Sequence, residues 1–186
     1  MQNRLSTQQY AFIMYLTSLS KADDRGALAT LRRGIAGDPL EDLNLRRYIA
    51  RRVPDEARGT PREGVYYLVA ALYGFHPINT DAGNFGDTMR QVSQARQDPD
   101  AAERRFTALL NTRLADLNAP LRRAVMMVHQ QQEPPIGINW GALLTDLLRW
   151  DAPQKWSQRA WANSFWRYER PIESNPSPAL ENQQEN

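Results

Sequence analysis

Apolar residues recur along most of this chain at intervals of three and four, the spacing of one face of a helix. No run of alternating β-branched residues bounded by turns occurs, so no strand is predicted, and there is no repeat of solenoid period. A first helix is predicted over about 6–20, with Phe12, Leu16 and Leu19 on one stripe. A second follows Asp23, read as its N-cap, and ends near Gly37, with Leu28, Leu31 and Ile35 inward. A third, over about 40–53, stops at Pro54. Thr60-Pro61-Arg62-Glu63 combines a capping-box pattern with proline at the first helical position and opens a fourth helix over about 61–75. From Val65 to Tyr73 that helix is apolar all round, which predicts the buried centre of an N-terminal lobe.

Residues 76–86 read as a loop rich in Gly, Asn and Pro, followed by a weaker helix over about 87–97. Asp98-Pro99 repeats the cap-plus-proline start, and the sixth helix carries Phe106, Leu109 and Leu110. Asn118 is read as the cap of a seventh, with Leu121, Ala124, Val125 and Val128 inward; Glu133-Pro134-Pro135 and Gly137 end it. Asn139 caps an eighth, with Trp140, Leu143, Leu144 and Leu147 inward. Asp151 and Pro153 open a long last helix to about Glu169, and a disordered tail is expected beyond Pro171. The fold class is therefore all-α: about eight or nine helices in two small helical-bundle lobes, packed into one elongated unit. The expected division is 1–97 for the N-terminal lobe with its connector, 98–170 for the C-terminal lobe and 171–186 for the tail.

A length of 186 residues with 41% hydrophobic positions and five tryptophans supports a real core. No apolar run approaches the roughly 18–20 residues of a bilayer span, and Met1-Gln2-Asn3-Arg4 lacks a signal-peptide pattern. Cysteine is absent, which removes disulfides, thiol chemistry and cysteine-based zinc sites. A soluble cytoplasmic protein is expected. Of the 23 basic residues all but Lys21 and Lys155 are arginine, whose planar fork of donors suits phosphate. Glu173, Glu181 and Glu185 are the only charges in 171–186, so removing them from the net +2 leaves +5 on residues 1–170. That bias permits contact with nucleic acid.

Catalytic patterns are missing. His76 and His129 form no metal-ligand spacing, and neither a phosphate-binding glycine loop nor a Gly-x-Ser-x-Gly elbow occurs. His76 precedes Pro77 at a helix end, where a cation would favour the dipole, and reads as structural; His129 reads as a surface or interface residue rather than a catalytic one. The acid pairs Asp23-Asp24, Glu41-Asp42 and Asp55-Glu56 lie near helix starts, where the macrodipole already explains them. No enzyme, metal, cofactor or small-molecule substrate is expected.

The basic residues fall on helix faces. Arg32 and Arg33 end the second helix, a position that also suits its dipole. In the third, Leu43, Ile49 and Val53 form one arc and Arg46 falls inside it, so Arg46 is expected to be partly buried and ion-paired. Arg47, Arg51 and Arg52 face outward, towards phosphate. Arg122 and Arg123 lie opposite the apolar stripe of the seventh helix, as an exposed phosphate clamp or a solvated face. In the last helix Trp156, Ala160, Trp161, Ser164, Phe165 and Tyr168 are expected inward, while Lys155, Arg159, Trp166 and Arg170 gather in a narrow arc. A tryptophan among cations suits an interface anchor, a base-stacking contact beside phosphate clamps, or packing on another part of the chain.

Four segments carry a resemblance: Ala27-Leu28-Ala29-Thr30-Leu31-Arg32-Arg33; Arg104-Arg105-Phe106-Thr107-Ala108-Leu109-Leu110; Pro120-Leu121-Arg122-Arg123; and Leu147-Leu148-Arg149-Trp150 followed by Lys155 and Trp161-Ala162-Asn163-Ser164-Phe165-Trp166. In this order and spacing, over about 5–168, the chain resembles the CasB family, the small subunit of the type I-E CRISPR Cascade surveillance complex. The resemblance implies a two-lobed helical protein without enzymatic activity. It implies two copies lying side by side, next to the backbone subunits that hold the CRISPR RNA and near the large subunit. It further implies that basic residues track the target DNA or displaced strand and stabilise the R-loop in antiviral defence. Residue by residue it carries over to Arg32, Arg33, Arg122, Arg123 and Lys155; Arg159 joins them as the next cation along the same helix face. Some relatives carry two adjacent bases in the turn after the tryptophan, where this chain has Asp151-Ala152-Pro153-Gln154-Lys155. The rival reading is a protein-only adaptor whose basic faces bind acidic neighbours.

Overall fold

The computed structural model describes residues 5–96, 98–131 and 133–167; the expected tail at 171–186, together with Tyr168 and Arg170, lies outside them. The described residues form nine α-helices: α1 Thr7–Lys21, α2 Arg25–Arg33, α3 Leu43–Ile49, α4 Pro61–Phe75, α5 Phe85–Ala95, α6 Pro99–Leu110, α7 Asn118–Gln130, α8 Trp140–Leu147 and α9 Trp156–Phe165. The all-α expectation is borne out.

Local chemistry explains the starts. Ser6 accepts from the Gln9 N–H while the Gln9 side chain accepts from the Ser6 N–H, closing a capping box on α1. Asp24, rather than Asp23, caps α2 by accepting from the Ala27 N–H at 2.9 Å, and Asp23 takes a left-handed φ of 50°. Asn84 and Asp87 form a second capping box, which begins α5 at Phe85. Asn118 is not a cap. It is the first residue of α7, and its amide donates to the Gly37 carbonyl at 3.1 Å. The third helix is shorter than 40–53, because Asp42 caps it at Leu43 and a 3-10 turn, Ala50–Arg52, follows Ile49. Leu45 and Ile49 therefore supply its buried side, whereas Leu43 in the first turn is 77% exposed. The last helix is also shorter than expected, with turns from Asp151 to Lys155 replacing its first part.

Every residue from Val65 to Gly74 is buried, and α4 is packed by α2, α3, α7 and α8. It is thus the centre of the described chain, serving both halves. The loop after α4 runs beside the segment before α8, with the Ile138 N–H donating to the Ile78 carbonyl at 3.0 Å and the Thr80 N–H to the Ile138 carbonyl at 3.2 Å. From there α5 packs on α6, α7 and α9. One hydrophobic cluster runs from Phe12 to Phe165, so α1–α4 and α5–α9 share a core.

His76 follows α4 as a neutral packing group rather than a dipole-compensating cation. It is buried, its Nε2 bonds the Ile136 carbonyl at 2.9 Å, and its Nδ1 faces His129 Nδ1 at 3.4 Å. Burial, and secondarily the neighbouring His129, hold its pKa below the ordinary 6.5, while the Ile136 bond opposes them. The folded chain then binds fewer protons here than the unfolded chain. Stability is therefore lost as pH falls through about 6.5, levelling off below the folded value. Urea midpoints at pH 7.5 and pH 5.5 are expected to differ less in His76→Gln than in the native chain. An unchanged difference would remove His76 as the cause.

Candidate nucleic-acid interface

The turn after α2 gathers three distant parts of the chain. Arg32 and Arg33 occupy the last turn of α2, both exposed, and Arg33 Nη2 donates to Thr30 Oγ1 at 3.1 Å. Gly34 follows, and the first turn of α3 lies against it: a Cβ on Gly34 would meet Leu45 Cδ2 at 2.8 Å. From α7, Arg122 Nη1 donates to the Ile35 carbonyl at 2.8 Å, and Asn118 donates to the Gly37 carbonyl. These two bonds satisfy carbonyls at a helix end and tie the start of α7 to the turn that follows Arg32 and Arg33. The turn after α2 and the first turns of α7 thus meet at one corner of the described chain.

The members of that corner differ. Arg122 is half-buried and tethered to Ile35, so it is not the exposed clamp expected from the helical wheel; Arg123 is exposed. On α3 and its extension, Arg47 and Arg51 are exposed as expected. Arg46 is exposed too, contrary to the burial and ion pairing expected of it. Because α3 ends at Ile49, its inward side is set by Leu45 and Ile49, and the Arg46 guanidinium lies 5.7 Å from the centre of the Tyr67 ring. Arg47 and Arg52 lie similarly over Tyr48 and Tyr15, at 5.8 and 4.2 Å.

Lys155 and Arg159 are exposed on a second patch. Asp151 Oδ1 accepts from the Leu114 N–H at 3.1 Å, which ties the turn before α9 to the loop leading into α7. Lys155 precedes the helix with φ 52°, and Trp166 follows it, so of the expected arc only Arg159 lies within α9. Trp166 rests against Phe106 and Phe165 and donates its indole N–H to Glu103 at 2.9 Å, leaving the residue 42% exposed. Arg170 lies outside the described residues.

The inward face of α9 is also rotated from the expected one. Ser157, Gln158, Trp161, Ser164 and Phe165 are buried, whereas Trp156 and Ala160 are exposed. Two polar side chains cause the rotation: Ser157 donates to the Asp146 carbonyl at 2.9 Å and Gln158 to the Trp150 carbonyl at 2.7 Å. An aromatic count missed Trp156 as an outward residue. The signal that would have found it is the pair of polar residues placed next to it.

Electrostatically, Arg25, Arg58 and Arg167 hold carboxylates at 3.1, 2.7 and 3.5 Å. Among the described residues, none of Arg32, Arg33, Arg47, Arg51, Arg122, Arg123, Lys155 and Arg159 does. Nor do the described residues hold a group of three or more His, Cys, Asp or Glu placed for a metal ion, or a helix long and apolar enough to cross a membrane. Arginines on helix faces that hold no carboxylate among the described residues suit the repeated charges of a phosphate backbone.

Comparison with known proteins decides the family. Residues 27–166 match the family described as CRISPR-associated protein Cse2. The chain belongs to the Cse2 family. A CRISPR-associated protein Cse2 of Thermus thermophilus is 32% identical over 143 residues, covering 75% of this chain and 78% of that protein. The crystal structure of a Cse2-family protein from the same species superposes with a TM-score of 0.71 at 28% identity, covering 85% of this chain and 97% of that one. The CasB protein of M. ruber gives 0.70 at 28% identity, covering 88% and 94%. The resemblance to CasB read from the sequence is thereby borne out, and the matched Cse2 segment takes in both arginine pairs, Lys155, Arg159 and Trp166.

Proposed function

We propose that this Cse2-family chain is a non-catalytic small subunit of a type I-E CRISPR Cascade complex. It grips nucleic-acid backbone without sequence preference and steadies the R-loop in antiviral defence. The observation that supports the reading is the Arg122–Ile35 bond, which joins α7 to the turn after Arg32 and Arg33, with no carboxylate on any of these three arginines or on Arg123 among the described residues. R-loop formation exchanges one duplex for another at nearly balanced cost, so a few phosphate contacts to the target or displaced strand tip it. A chain of matching fold, 23% identical with a TM-score of 0.69, is described within a CRISPR RNA-guided surveillance complex. The partners are then the backbone subunits carrying the CRISPR RNA, the large subunit and a second copy of this chain, in the prokaryotic cytoplasm. Affinity of the free chain is weak and steeply salt-dependent, because it rests on counterion release. Avidity within the assembly makes it useful.

Anisotropy of labelled DNA and RNA strands, titrated over salt, tests this. Binding is expected to fall linearly in log–log form. Arg32→Glu combined with Arg123→Glu should weaken it about tenfold or more and cut the salt slope by about two. Both residues are exposed, and the Arg122 tether stays intact, so the unfolding midpoint should not move. If the pair leaves strand binding unchanged but ejects the chain from the assembled complex, the basic faces bind protein and the adaptor reading replaces this one.

A further inference from the structure

The outward face of α9 carries the most exposed tryptophan among the described residues. Trp156 is 62% exposed, whereas Trp140, Trp150 and Trp161 are buried and Trp166 is anchored to Glu103. Arg159, Ala160 and Asn163 share its face at i+3, i+4 and i+7, all exposed, and Lys155 precedes it. No acidic residue occurs from Ala152 to Arg167. Lys155 holds a left-handed backbone, φ 52° and ψ 43°, that a lysine adopts sparingly. No side chain caps the first turn of α9, which leaves the positive end of its dipole beside the same lysine.

We propose that Trp156 is a stacking platform for one unpaired base of single-stranded nucleic acid, with Lys155 and Arg159 on the phosphates either side of it. The proposal rests on the backbone-gripping reading above and adds a selectivity that phosphate contacts lack. In a duplex each base is covered by its neighbours and offers only edges in the grooves. An unpaired base offers a face, and every base has one, so stacking selects single strands without selecting sequence. The ring's surroundings favour this occupant over a protein. Tryptophan anchors in protein interfaces sit in desolvated pockets among apolar contacts, while Trp156 follows Lys155 and shares its exposed helix face with Arg159, Ala160 and Asn163. Cations along the same helix face as a flat apolar ring complement a nucleotide in both of its parts.

The test uses the full chain and three labelled probes: oligothymidine, an abasic strand with the same number of phosphates, and a duplex. Trp156→Ala is expected to weaken oligothymidine binding about tenfold. It should leave the abasic strand and the duplex unchanged, and Trp156→Phe should retain most of the affinity. Since the ring is exposed, the unfolding midpoint of Trp156→Ala should match the native one. The platform is overturned if Trp156→Ala binds oligothymidine like the native chain while Arg32→Glu with Arg123→Glu still weakens it; the backbone-gripping reading then stands alone. Equal losses on all three probes, or ejection of Trp156→Ala from the assembled complex with strand binding intact, would also overturn it, the latter assigning the ring to a protein partner. Absence of salt-dependent binding by the native chain to any probe removes both readings together.

Discussion

Gly86→Ala is expected to destabilise the chain by about 3 kcal/mol or more, at or above the top of the usual range for an added methylene in a packed interior. Gly86 lies in the first turn of α5, against the backbone of α9. A Cβ there would fall on the carbonyl oxygen of Trp161, 2.7 Å from its carbonyl carbon and 2.8 Å from its Cα. A side chain could rotate away; backbone inside a helix cannot. The two helices would have to separate, and much depends on their contact. Phe85 packs on Trp161 with ring centres 5.1 Å apart, and Asn84 donates to Ser164 Oγ at 3.0 Å. Gly64→Ala in α4 is the control, since its Cβ meets only Leu40 Cδ2 at 3.9 Å. Replacing a helical glycine in open space should stabilise by about 0.5–1 kcal/mol. Urea unfolding of the two variants should move the midpoint in opposite directions. A Gly86→Ala midpoint at or above the native one would mean that α5 and α9 do not touch at this point.

Asp146→Ala is expected to cost about 2–3 kcal/mol. The Asp146 carboxylate accepts the Trp161 indole N–H at 2.7 Å, and both side chains are buried. Truncation leaves the N–H with no acceptor in the middle of an aromatic cluster, where Trp161 also meets Trp150 at 4.8 Å. Removing an acceptor while its donor stays buried costs more than the bond itself contributed. Trp161→Phe removes the donor, so the double variant should be less destabilised than the sum of the two single ones. A coupling of at least about 1 kcal/mol in this cycle is expected. Strictly additive effects would count against the bond. Because Asp146 is in α8 and Trp161 in α9, the cycle measures how firmly the last helix is seated.

The sequence was most legible where the signal is local. Thr60-Pro61, Asp98-Pro99 and Asn139 mark helix starts by a cap or a cap with proline, and α4, α6 and α8 begin where those residues stand. The unbroken apolar run in α4 needs no partner to be read as buried. Where a distant group decides, the pattern misleads. The rotation of α9 depends on carbonyls of Asp146 and Trp150 that accept from Ser157 and Gln158, and hydropathy counts those residues as outward. Arg46 was placed inside an arc that presupposed a helix continuing to Val53, but the chain tightens to 3-10 geometry after Ile49. The arginines of the candidate interface could be counted in the sequence. That Arg122 is a tether and Arg123 is not depends on a carbonyl 87 residues away.

The central position of α4 also bears on how the chain is made. Its last residue, Phe75, emerges from the ribosome well before α7 and α8, which end at Gln130 and Leu147 and cover much of its surface. At common rates of translation that interval is on the order of several seconds. Throughout it an almost wholly apolar helix lacks the cover of α7 and α8, and neighbouring nascent chains present the same sticky surface. Premature termination between Phe75 and Leu147 is therefore expected to yield an aggregation-prone fragment that engages chaperones and proteases.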